Sequence, residues 1–174
     1  PWIEAVHHLC RSGQYDTAFE CYRNQLDQGK RNVLPNVLGV FEVVIELVPE
    51  FFPNRDTAKD PMVTRSSNKS FLLNAFGFSL SNTGVLNRAT PFLERSNAFH
   101  PTGPTFHNLS ELKIMLGVLA EAADHANEAL NLAKKTKDKR DQRNSFANVA
   151  FVAALRGMPA DEPFNTAERI EKQI

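Results

Sequence analysis

Three small residues and a proline at fixed spacing constrain this chain more than any other feature of it. Gly77 and Gly84 lie seven residues apart, Ala89 follows Gly84 by five, Leu93 follows Ala89 by four, and Pro101 closes the stretch. The residue types suit two antiparallel helices. Gly77 and Ala89 carry little or no side chain, so two helix backbones can approach closely there. Gly84 accepts the left-handed backbone of a tight turn without steric cost. Pro101 cannot continue a helix and stops the second one.

The pattern recurs. A second copy starts at Leu116-Gly117, with Asp124 expected at its turn, Ala129 in the close-contact slot and Ala133 after it. An N-terminal copy runs through Trp2, Leu9, Gly13, Tyr15, Ala18 and Tyr22. A looser fourth copy runs from Ala150 and Gly157 through Pro159 and Pro163 to Ala167 and Ile170, with an enlarged turn. The series of small residue, turn glycine, alanine, large apolar residue and proline resembles the tetratricopeptide repeat. That resemblance implies an all-α fold, a single right-handed superhelical solenoid domain of about four hairpins over 1–174.

Between the first and second hairpins the pattern breaks. Apolar residues at helical spacing (Leu38, Phe41, Val44, Ile45 and Val48) predict one long helix ending before Pro49 or Pro53. Residues 54–68 are polar and read as a surface loop. The expected helices are 2–12, 15–28, 34–48, 69–82, 85–98, 105–122, 125–136, 139–156 and 160–173, with no strand.

Composition removes several classes of function. Lys plus Arg and Asp plus Glu are both 20, so the formal net charge is zero and the surface as a whole has no case for nucleic acid or anionic membrane. Two cysteines, Cys10 and Cys21, are too few for a disulfide framework and read as small core residues. No apolar run approaches the length of a membrane span. The opening Pro1-Trp2-Ile3-Glu4 has neither the basic start of a secretion signal nor an initiator Met, and reads as the start of a piece excised from something longer. Phosphate loops, Gly-x-Ser-x-Gly, His-Glu-x-x-His and paired-cysteine motifs are absent from the sequence, so no enzymatic activity, cofactor or metal is expected. His7 and His8 point about 100° apart on a helix and do not converge on one ion.

In tetratricopeptide arrays the first helix of each hairpin lines the concave face. The resemblance therefore implies a partner-binding surface from Glu4, His7, Arg11, Asn74, Phe78, Asn82, Glu111, Met115, Asn144, Asn148 and Phe151, with Ser81 and Val118 beside them. Asparagine amides both donate to and accept from a peptide backbone, while Phe78, Met115 and Phe151 could receive apolar anchors. Lys and Arg at the positions that clamp a C-terminal carboxylate in some such domains are missing here. Lys134, Lys135, Lys137, Lys139, Arg140 and Arg143 form the one basic cluster, broken by Asp138 and Asp141.

The order of hairpin, helix, Phe51-Phe52-Pro53, polar loop and regular repeats is similar to the C-terminal repeat region of bacterial STAND-class signalling NTPases. It implies a cytoplasmic sensor or interaction module that binds a protein or peptide, with upstream domains of a parent chain as a further partner. A free-standing adaptor is an alternative. Nucleic-acid contact through 134–143 is a disfavoured one.

Overall fold

The computed structural model describes residues 1–28, 34 and 38–174, and among these it is all-helical with no strand. The chain forms two compact units, Pro1–His100 and Pro101–Ile174. The first holds α1 (Trp2–Arg11), α2 (Tyr15–Cys21), α3 (Phe41–Leu47), α4 (Ser66–Asn82) and α5 (Leu86–Phe99). A π-helical turn, Tyr22–Leu26, extends α2, and short 3-10 turns at Val48–Phe51 and Pro53–Arg55 follow α3. The second unit holds α6 (Gly103–Met115), α7 (Leu119–Thr136), α8 (Lys139–Leu155) and α9 (Asp161–Glu171).

The same turn joins the helices of four hairpins. At Gly84 the backbone is left-handed, with φ of +82°. Its N–H donates to Ser81 O at 3.0 Å, and the next N–H, of Val85, reaches back to Leu80 O at 2.9 Å. This pair of bonds satisfies the last carbonyls of a helix and requires a residue that tolerates positive φ. Gly117 repeats it with φ of +75°, donating to Ile114 O, while Val118 donates to Lys113 O. Corresponding bonds are made at Gly13 and Gly157.

The turn at Gly117 corrects the expected second copy. Asp124 does not sit at a turn but inside α7, and α6 ends at Met115 rather than running through 122. Counted from Gly117, the close-contact pair is Ser110 and Ala122 instead of Gly117 and Ala129. The long helix expected over 34–48 is also interrupted. Gly39 has φ of +63°, and α3 starts only at Phe41. Residues 35–37 of that expectation lie outside the described residues. Further on, α4 begins at Ser66, so the last three residues expected in the polar loop are helical.

Packing within each hairpin follows the size of the facing residues. A Cβ placed on Gly77 would lie 2.8 Å from Leu93 Cγ and 3.2 Å from Ala89 O. Leu93 and Ala89 are fully buried. At the matching place in the second unit Ser110 fits, because Ala126 stands where Leu93 stands in the first. The Ser110 hydroxyl donates to Ala122 O at 2.9 Å, which satisfies a buried polar group between the two helices. In α1–α2 the pair is Val6 and Ala18, both fully buried.

An aromatic cluster fills the first unit. Phe19 and Phe71 meet edge to face at 5.7 Å, and Tyr22 meets Phe51 at 6.2 Å. The Arg23 guanidinium sits 4.0 Å over the Phe71 ring and donates to buried Asp27 at 2.6 Å. Burial pushes the Asp27 carboxyl up, and Arg23 offsets part of that shift. The loop before α4 is tied down. Arg95 on α5 donates to Thr57 O at 2.8 Å, to Lys59 O, and to Asp60 Oδ1 at 3.1 Å. Thr64 N–H donates to Asp16 Oδ1 at 3.0 Å.

Two substitutions test the close contact. Gly77→Ala should cost about 1–3 kcal/mol in urea unfolding, because Leu93 must move to admit a methyl group. Gly103→Ala, whose added Cβ would meet nothing nearer than Ala129 O at 3.8 Å, should be nearly neutral. Combining Gly77→Ser with Leu93→Ala should cost less than the sum of the two single changes, since the pair then matches Ser110 and Ala126. Strict additivity would remove the packing argument.

Candidate functional site

The turn glycines give a ruler for the first helix of each hairpin. Residues two, six and ten positions before a turn glycine share one helix face. For Gly13 these are Arg11, His7 and Ile3, and for Gly84 they are Asn82, Phe78 and Asn74. For Gly117 they are Met115, Glu111 and His107, and for Gly157 they are Leu155, Phe151 and Ala147. Eight of the eleven expected partner-binding residues fall on this ruler. Glu4 and Asn144, both exposed, lie beside it on α1 and α8, and Asn148 lies off it.

In the first unit this face is occupied from within. Phe78 packs edge to face on Phe41 of α3 at 6.0 Å. His7 Nδ1 lies 3.3 Å from Oε1 of Glu50, a carboxylate that also pairs with Arg55 at 3.0 Å. Asn82 is exposed, but its amide donates to Phe78 O at 2.9 Å. Asn74 is half-buried, and Ser81 is buried with its hydroxyl donating to Phe78 O at 2.8 Å. Glu4 and Arg11 are exposed on α1. The structure therefore does not gather these residues into one open surface, because α3 and the Val48–Phe51 turn cover part of it.

The second unit differs. There α6 packs against α7 and also against α8. Met115 is 50% exposed and Phe151 56%, on these two neighbouring first helices. Leu155 and Val118 are also open to solvent. Glu111 is exposed and pairs with His107 Nε2 at 3.2 Å. Asn144 is exposed and accepts from Arg143 at 2.7 Å. Asn148 does not belong to this face: it is 6% exposed, and its Nδ2 has no hydrogen-bond partner, so it is a core residue. Leu155, Ala147 and His107 escaped the sequence reading. Counting back from Gly117 and Gly157 as turn residues would have found all three.

The basic cluster lies at the α7–α8 corner. Lys137 takes the left-handed conformation that ends α7, with φ of +59°, and the Asp138 carboxylate caps α8 by accepting from the N–H groups of Arg140 and Asp141. Lys139 donates to Gln173 at 3.2 Å, and Arg143 pairs with Glu171 at 2.5 Å, so two of its cations hold the end of α9 and the residues just after it. Lys134 lies 5.2 Å from the Phe146 ring. Lys135 and Arg140 are exposed.

Cys10, His7 and Glu50 bring nucleophile, base and acid types into one neighbourhood, but the thiol is 3% exposed. Burial, with the Glu50 carboxylate adding to it, pushes the Cys10 thiol up to about 12. A thiol held protonated is a poor nucleophile. Among the described residues no group of three or more His, Cys, Asp or Glu could hold a metal ion, and no helix is long and apolar enough to cross a membrane.

No family model matches the chain, and no curated protein matches it.

Cys10 offers a direct check. It should resist iodoacetamide at pH 8 in the folded protein and react only on unfolding, as read by mass spectrometry. Because the unfolded thiol ionises near 9.0 and the folded one near 12, the unfolded state binds fewer protons between those values. Stability should therefore fall as pH rises through that window, and Cys10→Ser should flatten the decline.

Proposed function

We propose that this chain is a non-catalytic helical-repeat scaffold that captures a protein or peptide on the exposed first-helix face of its second unit. The observation that carries the reading is the pairing of half-exposed Met115 and Phe151 on neighbouring helices α6 and α8. Large apolar side chains left open together on packed helices are the usual mark of an interaction surface. The recurrent glycine turn and the small-residue contacts support a tetratricopeptide-like stacking of hairpins, whose rigid first helices would present such a surface at low entropic cost.

In this reading the module is the cytoplasmic sensor or interaction part of a larger bacterial signalling or defence protein. The order of hairpin, helix, Phe-Phe-Pro and regular repeats supports that placement, and a nucleotide-binding motif upstream in the parent reading frame would be its counterpart.

The surface can be tested without disturbing the fold. Met115→Ser combined with Phe151→Ser should leave the circular-dichroism spectrum unchanged and lower the melting temperature by only a few degrees, because both side chains are already half in water. Capture of partners from the native cell should fall at least tenfold, as expected when central anchors of an interface are removed. Undiminished capture by the double variant would move the binding surface elsewhere.

A further inference from the structure

One helix of the exposed face carries a chemical gradient. Along α8, Arg140, Asn144, Ala147, Phe151 and Leu155 are all exposed. Arg140 and Phe151 are eleven residues apart, so they point within about 20° of each other and lie about 16 Å apart along the axis. The stripe thus runs from a cation, past an amide and a methyl group, to a phenyl ring and an isobutyl group. No neighbour within the unit covers it.

Charge distribution gives the two ends different partners. Around the cationic end stand Lys134, Lys135, Lys137, Lys139, Arg140 and Arg143, against Asp138, Asp141 and Glu171, which leaves a net charge of +6 − 3 = +3. Asp138 is committed to capping α8, and Arg143 and Lys139 are held by Glu171 and Gln173. Arg140, at the end of the stripe, has a side chain open to solvent. The middle of the stripe is small: Ala147 lets a second backbone approach. At the other end Phe151 and Leu155 are exposed apolar side chains, and Met115 is exposed on the neighbouring helix α6.

Resting on the scaffold reading above, we infer that the α8 stripe docks an amphipathic helix whose apolar residues meet Phe151 and Leu155 and whose acidic end, about three turns away, meets Arg140. The apolar end supplies the affinity. The acidic end sets the direction in which the partner lies and raises its rate of encounter. A partner with a basic end is turned away by the same charges.

Synthetic peptides test this on the intact chain. One probe is an 18-residue amphipathic helix, with a Leu stripe and three Glu at one end; a second carries three Lys in their place. A third keeps the Glu but has its Leu positions replaced by Ser. Fluorescence anisotropy should detect the Glu-ended Leu probe at least tenfold more tightly than either control, with binding weakened by rising salt. Arg140→Glu should erase the preference between Glu and Lys ends, and Phe151→Ser should weaken the Glu-ended probe about tenfold. Equal binding of Glu- and Lys-ended probes, or no binding of any probe, would overturn the inference. So would self-association of the chain in sedimentation that Phe151→Ser abolishes, since a second copy would then occupy the stripe. Capture from the native cell that depends on Met115 and Phe151 but not on Arg140 would leave the scaffold reading standing and sink the acidic-helix proposal alone.

Discussion

Contact between a small residue seven positions before a turn glycine and an alanine five positions after it sets the geometry of the α4–α5 and α6–α7 hairpins. At Gly77 the approach leaves no room for a side chain, and at Ser110 it leaves room for a hydroxymethyl group that bonds across the gap. Ala18, Ala89 and Ala122 are all fully buried at the second position. Everything outside this contact adjusts to it. A leucine stands with the glycine in the first unit and an alanine with the serine in the second, so the side chain beside the contact is large where the contact residue has none.

The sequence shows the hairpins because glycine, alanine and proline each carry a backbone meaning that survives without neighbours. It shows their register less well. Asp124 and Gly117 both suit a turn on local grounds. Gly117 takes the turn because only there do Ala122 and Ala126 face the preceding helix. Apolar spacing across 34–48 continues through Gly39 and says nothing of its φ, so periodicity alone joins what the backbone divides. The candidate surface is legible to the same extent. Met115 and Phe151 stand out by type and spacing. The burial of Asn148, the Phe41–Phe78 contact and the seating of His7 on Glu50 depend on long-range packing that no local pattern encodes.

The two units put equivalent helix positions to different uses. Six residues before their turn glycines stand His7, Phe78, Glu111 and Phe151. The first is engaged by Glu50 and the second by Phe41, because α3 and its 3-10 turn lie over that side. In the second unit no such insertion intervenes. Phe151 stays half in water at a cost of roughly 1–2 kcal/mol in forgone burial. The equivalent position is therefore covered by α3 in the first unit and left open to solvent in the second.

Arg95 has a consequence for how the molecule is handled by proteases. Its guanidinium grips two backbone carbonyls and one carboxylate within four residues of the loop, and that loop contains Lys59 and Arg65. Cleavage requires a stretch of chain to leave the surface and extend, so the grip of one side chain governs how often those bonds are presented. Residue 95 thereby acts as the latch on this connection, and the resistance of the loop to proteolysis rests on an α5 side chain far along the sequence from the bonds it shields.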